Sequence, residues 1–162
     1  MNIIPFTESH YPQVAIIYLQ GIATQQATFQ TEVPNWKDWD RGHLQHCRIA
    51  AVESGEITGW AALSPVSSRS VYAGVAEVSV YIAENFRGKG VGMILMQELI
   101  RQSEEQGIWT LQSSIFPENK ASVSLHEKSG FRIMGFREKI GCMNGVWRDT
   151  VIMERRSRKV GI

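Results

Sequence analysis

Apolar residues recur along the chain with two different periods, and these periods predict its secondary structure. Strict alternation, as in the segment 77–82 (Glu-Val-Ser-Val-Tyr-Ile), is typical of a half-buried strand, whereas spacings of three and four indicate a helix. Alternation and β-branched content predict strands at residues 2–6, 48–53, 57–63, 76–83, 109–115, 131–140 and 147–154. Helical spacing predicts helices that follow Thr7, that contain Trp36 and Trp39, and that span residues 91–107 and 119–130.

Turn residues connect these elements in a mixed order. Ser54-Gly55-Glu56 indicates a hairpin, Gly107 and Gly130 are typical of helix C-termini, and Asn119 is a favoured helix N-cap. Hairpins interleaved with helices predict an α+β fold. The 162 residues suffice for one domain with a real core, and we assign the domain to residues 1–155 and a short basic tail to residues 156–162.

Composition narrows the functional classes. Apolar residues make up 43% of the chain and charged residues 20%, with a net charge of +1, which is typical of an ordinary globular domain. This balance indicates neither nucleic acid nor a membrane surface as a partner, and the basic end is expected to be a solvated tail. Without a recognisable signal peptide or apolar span, and with only Cys47 and Cys142, a cytoplasmic location is expected.

The segment 87–92 (Arg-Gly-Lys-Gly-Val-Gly) has the character of a pyrophosphate-binding loop. It lies between a predicted strand and a predicted helix, so its backbone N–H groups and the positive helix end are available to an anion. A dinucleotide fingerprint does not fit, because the sixth position counted from Gly88 is Met93, and no P-loop string is present. A plain strand–helix turn remains the alternative interpretation.

A second polar group lies on one face of the predicted helix at 119–130. Asn119, Ser122 and His126 are spaced i, i+3 and i+7, so they share one face and can line a cleft. For His126 alone, a hydrogen-bonded surface histidine is the alternative.

These motifs together resemble the GNAT superfamily of N-acetyltransferases. Arg87, Gly90 and Gly92 match its Arg-x-x-Gly-x-Gly coenzyme-A loop, and Leu125-His126 stands where most members have Leu-Tyr. The chain is similar to the phosphinothricin and methionine-sulfoximine acetyltransferase branch of this superfamily. The similarity lies in this Leu-His pair and in the segments 27–32, 77–82 and 145–149. The resemblance implies a single-domain fold with a mixed central sheet of six to seven strands flanked by helices, acetyl-CoA as co-substrate, no metal or bound organic cofactor, and a homodimer.

Glu77 is the candidate general base, because it is the only carboxylate in the strand before the loop and an amine must be neutral to attack a thioester. Its distance along the strand favours action through water, and an outward-pointing structural glutamate is the alternative. The resemblance implies that backbone N–H groups of Val80, Tyr81 and Ile82 stabilise a tetrahedral intermediate. The leaving thiolate needs a proton or a hydrogen bond, and His126 is the candidate for that role. The cofactor-binding residues it implies are Val80, Tyr81, Ile82, Arg87, Gly88, Lys89, Gly90, Val91, Gly92, Met93, Asn119 and Ser122.

The expected acceptor is a small amino-acid-like amine of the phosphinothricin, methionine sulfoximine or methionine sulfone type. Candidate substrate-binding residues are Phe29, Arg69, Tyr72 and Glu77. Branch members often have an arginine after the aromatic residue, but Ala73 follows Tyr72 here; Arg69 is the candidate replacement, with a solvated loop arginine as the alternative. Two other functions stay open: peptide or lysine N-acetylation, and a non-catalytic acyl-CoA-binding module.

Other conspicuous residues give weaker evidence for a functional site. His43, His46 and Cys47 resemble metal ligands, but a fourth ligand at a suitable spacing is missing, so we expect no metal site. Phe29, Trp36, Trp39 and Trp147 are candidates either for pocket walls or for the core.

Overall fold

The computed structural model describes all 162 residues, and a single seven-stranded sheet organises them. The elements in chain order are β1 (Asn2–Pro5), α1 (Tyr11–Ala23), α2 (Trp36–Gly42), β2 (Ile49–Glu53), β3 (Glu56–Pro65), β4 (Val75–Ile82), α3 (Val91–Glu105), β5 (Thr110–Ile115), α4 (Lys120–Lys128), β6 (Arg132–Met143) and β7 (Val146–Arg156). The strand order is β1-β2-β3-β4-β5-β7-β6. Only β4 and β5 are parallel, and all other neighbours are antiparallel. The predicted α+β fold with a mixed sheet is confirmed.

Two apolar clusters cover the two faces of the sheet. On one face α1 and α2 pack on β3, with Val14, Trp39 and Trp60 fully or almost fully buried. On the other face α3 packs on β2, β3 and β4 through Leu95 and Leu99. Burying a leucine-sized side chain stabilises a fold by roughly 1.5–3 kcal/mol. The central strands are thereby held rigidly between two helical layers.

The sheet opens between β4 and β5. Pairing is confined to Val75–Glu77 with Thr110–Gln112, although β4 continues to Ile82 and β5 to Ile115. Beyond Glu77 the facing edges of the two strands therefore have no sheet partner. This opening, which we call the wedge, lies in the middle of the domain and positions the candidate site.

Two details at the C-terminal end differ from the sequence-based expectation. The last two strands extend into residues 141–146, which separate the predicted strands 131–140 and 147–154, and turn at Asn144-Gly145, where φ is 52° and 78°. Two successive positive φ angles are typical of the type I′ turn that joins hairpin strands directly. The expected solvated tail is also tied down, because Arg156 belongs to β7 and the buried Ser157 hydroxyl donates to Glu104 at 2.9 Å.

None of the helices has both the length and the apolar character that a membrane crossing requires.

Candidate active site

Two cavities meet at the wedge. The wedge cavity, about 330 Å³, lies between β4 and β5 and includes Glu77 and His126 in its wall. The loop cavity, about 560 Å³, lies between the glycine loop and α4. The residues common to both walls are Ala27, Val80, Tyr81, Asn119 and Ser122. A molecule in the loop cavity can therefore reach the wedge cavity past β4 and the first turn of α4.

The loop cavity ends at the unsatisfied start of α3. Gly90 is the N-cap residue with φ of 83°, and no side chain caps the helix, so the N–H groups of Val91, Gly92 and Met93 have no partner within it. A left-handed φ at the N-cap is unstrained only for glycine. These donors and the positive end of a 15-residue helix give the start of α3 the features that an anion site requires, as the sequence predicts.

Helix packing sets the width of the loop cavity. A β-carbon on Gly92 would lie 3.2 Å from a Leu125 methyl group, so this glycine lets α3 and α4 pack closely. Arg87 lies in the cavity wall, and its Nε donates to the Ile82 carbonyl at 3.4 Å. Lys89 does not line the cavity, because its ammonium lies over the Phe86 ring, 5.2 Å from the ring centre.

The free edge of β4 contributes backbone groups to both cavities. Val80 and Tyr81 pair with β3 on one side, opposite Ala61 and Trp60, but have no β5 partner on the other. Along such an edge, alternate N–H and C=O groups point away from the paired strand. Backbone donors of this segment therefore face the wedge.

Glu77 is the last residue of β4 that pairs with β5, and the wedge begins there. Its half-buried carboxylate lines the wedge cavity and accepts from the Gln112 amide at 3.4 Å, and it forms no ion pair. Ser64 lies opposite on β3 and lines the same cavity. The carboxylate is therefore available to a molecule or a water in the cavity.

Asn119 connects α4 to the loop after α1. Its Oδ1 accepts from the Ser122 N–H at 3.2 Å, and its Nδ2 donates to the Gln26 carbonyl at 3.1 Å. The predicted N-cap is confirmed, but both ends of the amide are already bonded within the protein. Ser122 lines both cavities, and its hydroxyl oxygen lies 3.5 Å from His126 Nδ1.

His126 is buried, with 3% of its surface exposed. Its Nδ1 lies 2.7 Å from the Ser122 carbonyl oxygen, which requires the proton on Nδ1, while Nε2 has no protein partner. Burial lowers the pKa of His126, and the bond to the Ser122 carbonyl opposes that shift only in part. A neutral ring with a free Nε2 lone pair accepts a hydrogen bond, which does not suit the expected role of giving a proton or a hydrogen bond to the leaving thiolate.

An aromatic wall closes the wedge cavity on the side of the loop after α1. Phe29 packs edge-on against Phe116, with ring centres 4.8 Å apart. A β-carbon on Gly141 would lie 2.7 Å from the Phe29 ring, so a glycine is required there. Arg148 stacks on Phe116 and donates to the Gln25 carbonyl and the Gln26 side chain, which fixes this loop.

Arg69 and Tyr72, predicted to bind substrate, line neither cavity. Both are exposed at a short 3-10 turn, and the Arg69 guanidinium lies 5.5 Å from the Tyr72 ring centre. The sequence suggested proximity because the two residues precede Glu77, but the turn places them at the surface.

The structure adds wall residues that the sequence analysis did not assign, chiefly His43, Ser64, Ser113 and Thr150. His43 was considered only as a metal ligand. Its ring stacks on Trp39, whereas His46 contacts Cys47, so the two histidines do not converge. Trp36 and Trp39 belong to the core, and Trp147 is 61% exposed. Only the tertiary contacts of α2 with the end of β3 reveal the place of His43.

Comparison with curated proteins identifies relatives along most of the chain. The YwnH protein of Bacillus subtilis is 37% identical over 147 residues, covering 88% of this chain and 90% of the relative. A phosphinothricin N-acetyltransferase of Alcaligenes faecalis is 32% identical, covering 89% and 76%. An L-methionine sulfoximine/L-methionine sulfone acetyltransferase of Pseudomonas aeruginosa is 34% identical over 106 residues, covering 65% and 62%.

Solved structures share the fold. A phosphinothricin acetyltransferase from Sinorhizobium meliloti in complex with acetyl-CoA superposes with a TM-score of 0.87 at 23% identity, covering 99% of this chain and 90% of that one. A ribosomal-protein-alanine N-acetyltransferase from Brucella melitensis gives a TM-score of 0.89 at 26% identity, covering 97% and 100%. The profile of the acetyltransferase (GNAT) family matches residues 15–131. The chain therefore belongs to the GNAT family of acetyltransferases.

Proposed function

We propose that this acetyltransferase moves the acetyl group of acetyl-CoA to the amino group of a small, amino-acid-like acceptor. The observation that carries the proposal is the meeting of two unlike cavities at Val80 and Tyr81. One has the unsatisfied helix start of an anion site, and the other has a free carboxylate. Such an arrangement suits the transfer of a group from a phosphorylated carrier to an amine.

The loop cavity is the proposed site of acetyl-CoA. The N–H groups of Val91, Gly92 and Met93 and the positive end of α3 would bind the pyrophosphate. The free edge of β4 at Val80 would pair with the pantetheine arm and direct it toward the wedge. Its backbone N–H donors would stabilise the oxygen that becomes negative in the tetrahedral intermediate.

Glu77 is the proposed general base. An ammonium must lose a proton before its nitrogen can attack a thioester carbonyl. Glu77 precedes Val80 by three residues, which is about 10 Å along a strand, so the proton passes through water rather than directly. Its availability in the wedge cavity supports this role, and favours an enzyme over a non-catalytic acyl-CoA-binding module.

Ser122 and His126 are proposed to act at the two ends of the reacting group. The Ser122 hydroxyl lies in the wall of both cavities, where it can donate a hydrogen bond to the leaving sulfur. The Nε2 of His126 lacks a protein partner and is closed to solvent, so it would accept a hydrogen bond from the acceptor amine or its water when a bound acceptor opens the wall around it. This division of roles replaces the proton-donor role considered for His126.

The test is an acceptor panel with purified protein and acetyl-CoA. We expect free CoA release and an acetylated product, identified by mass, with at least one of phosphinothricin, methionine sulfoximine and methionine sulfone. The panel also includes a peptide with an N-terminal alanine, because the Brucella structure is described as a ribosomal-protein-alanine N-acetyltransferase. Transfer to that peptide alone would favour peptide acetylation, and acetyl-CoA binding without any transfer would favour the binding module.

A homodimer is also proposed, and the edge of the sheet supports it. β6 is the last strand, and large apolar side chains of the β6–β7 hairpin are exposed, with Phe136 at 59% and Trp147 at 61%. An exposed apolar edge strand is prone to pair with another copy. Sedimentation velocity should show a dimer, and Phe136→Glu should shift it to the monomer; a monomeric wild type would contradict this proposal.

A further inference from the structure

One end of the wedge cavity is formed by His43 together with Ser64 and Glu77. His43 directly follows α2, and the next residue, Leu44, donates its N–H to the Leu63 carbonyl at 2.8 Å. Ser64 is the next residue of β3 and lies opposite Glu77 on β4. Because all three line the same cavity, the imidazole lies at the end where the carboxylate begins the wedge.

The His43 ring is held in one orientation. It stacks on the buried Trp39 indole, with ring centres 3.9 Å apart and planes 13° from parallel. Its Nδ1 lies 2.6 Å from the Trp39 carbonyl oxygen, so Nδ1 carries the proton and Nε2 keeps its lone pair. Arg48, which is ion-paired with Asp40, donates to the His43 carbonyl at 3.1 Å and fixes the backbone.

Burial favours the neutral form of the imidazole. Burial is the main cause that lowers the pKa of His43, and the Arg48 guanidinium adds to it, while the Trp39 carbonyl and Asp40 act in the opposite direction. Because the Trp39 carbonyl occupies Nδ1, Nε2 is the ring nitrogen left to accept a hydrogen bond from a molecule in the wedge cavity, whose wall includes His43.

The charge of the wedge cavity has one sign. Its wall contains a single carboxylate, Glu77, and neither lysine nor arginine. Arg148 lies behind Phe116 and donates to the loop at Gln25 and Gln26. At the His43 end, an anionic tail beside Glu77 would be repelled and would find no cation in the wall, whereas a neutral donor would find an acceptor.

We propose that His43 is a specificity-determining residue, whose Nε2 accepts a hydrogen bond from a neutral N–H or O–H at the far end of the acceptor. The preferred acceptor is therefore a compact primary amine with an uncharged, hydrogen-bond-donating tail, and anionic tails are disfavoured. This inference rests on the proposed function and specifies its substrate.

Three related amines form the test. Methionine sulfoximine and methionine sulfone differ by one N–H in place of an oxygen, and phosphinothricin carries an anionic phosphinate. A net hydrogen bond of about 0.5–1.5 kcal/mol predicts a kcat/KM for the sulfoximine roughly 2- to 10-fold above that for the sulfone. Like-charge repulsion in a half-buried site predicts a disadvantage of about tenfold or more for phosphinothricin relative to the sulfoximine.

His43→Phe keeps a ring against Trp39 and removes both nitrogens. We expect the sulfoximine advantage over the sulfone to disappear, while the KM for acetyl-CoA stays within about twofold of the wild-type value, since a net hydrogen bond accounts for the advantage. His46→Phe is the matched control, because His46 contacts Cys47 and lies outside both cavities, and it should keep the advantage.

Nitrogen-15 NMR of the histidine-labelled wild type tests the contact without a variant. The chain has four histidines, so the His43 signal can be assigned. Its Nε2 resonance should shift on addition of the sulfoximine and stay in place with the sulfone. The inference would be overturned if His43→Phe kept the same kcat/KM advantage of the sulfoximine over the sulfone. It would also be overturned if the Nε2 signal did not shift on addition of the sulfoximine. If no amine is acetylated, the proposed function fails, and the NMR titration still decides whether His43 binds the tail.

Discussion

The loop cavity and the wedge cavity share a border but are built in different ways. The loop cavity takes one wall from neighbouring residues, from Phe86 to Met93, whose functional groups are backbone N–H donors. The wedge cavity takes its wall from side chains as far apart as Tyr18 and Thr150. Recognition of a common co-substrate can therefore reside in one local motif, whereas recognition of a particular acceptor depends on the whole fold.

Replacing Glu77 by glutamine should have the largest effect on activity. It should slow acetyl transfer in the wedge cavity without weakening acetyl-CoA binding in the loop cavity. Loss of general-base assistance is worth about 10²–10⁴ in rate. We expect kcat to fall by that range and the acetyl-CoA Kd to stay near the wild-type value, measured by CoA release and calorimetry. The deficit should shrink at high pH, where the acceptor amine is already neutral. Wild-type turnover at neutral pH would assign Glu77 a structural role.

Gly90→Glu should produce the opposite pattern. A side chain at a φ of 83° is strained, and its charge would face the proposed pyrophosphate site. We expect acetyl-CoA affinity to fall by about a hundredfold, because an anion site becomes anionic. Gly107→Glu, a glycine with φ of 77° at the other end of α3, is the matched control for strain and should retain affinity. Equal affinity in folded Gly90→Glu protein would remove the loop from the acetyl-CoA site.

The buried His126 should make stability depend on pH. Its folded-state pKa is lowered by burial, so below about pH 6.5 the unfolded chain binds the proton more readily than the folded one. Stability should therefore be unaffected above that pH and fall on acidification toward the folded-state pKa. His126→Asn keeps a donor for the Ser122 carbonyl and should cost about 1–3 kcal/mol at neutral pH through lost packing.

Urea unfolding at pH 7.5 and pH 5.5 measures this difference. The stability loss on acidification should be smaller in His126→Asn than in the wild type. An identical loss in wild type and His126→Asn would show that other groups cause the acid sensitivity.

Arg69→Ala should have the smallest effect. The guanidinium lies over the exposed Tyr72 ring and outside both cavities. Exposed charges contribute about 0–1 kcal/mol, so the KM for acidic acceptors should change by less than about threefold. Lys89→Ala is the corresponding change beside the loop cavity. A large rise in KM for acidic acceptors alone in Arg69→Ala would restore the carboxylate clamp and narrow the difference between the two cavities.

Much of the fold could be predicted because its signals are local. Each of these signals specifies backbone conformation within a few residues. Examples are the alternation in residues 77–82, the glycines of the loop and the Asn119 cap. The final hairpin is longer than predicted, because residues 141–145 (Gly-Cys-Met-Asn-Gly) begin and end with glycine and therefore indicate a linker between the strands. The tail was misjudged for a similar reason, since the partner of Ser157 is Glu104 on α3, 53 residues away.

By itself, the sequence determined the order of the elements and the glycine-rich start of α3. It also determined the place of Glu77 in β4 and the shared face of Asn119, Ser122 and His126. Tertiary structure decided that His43 joins the wedge cavity, that Arg69 stays outside it and that His126 is a buried acceptor. The physical reason is the range of the interactions involved. Turns, caps and strand periodicity depend on neighbouring residues, whereas burial, tautomer and cavity membership depend on contacts between segments that only the folded sheet brings together.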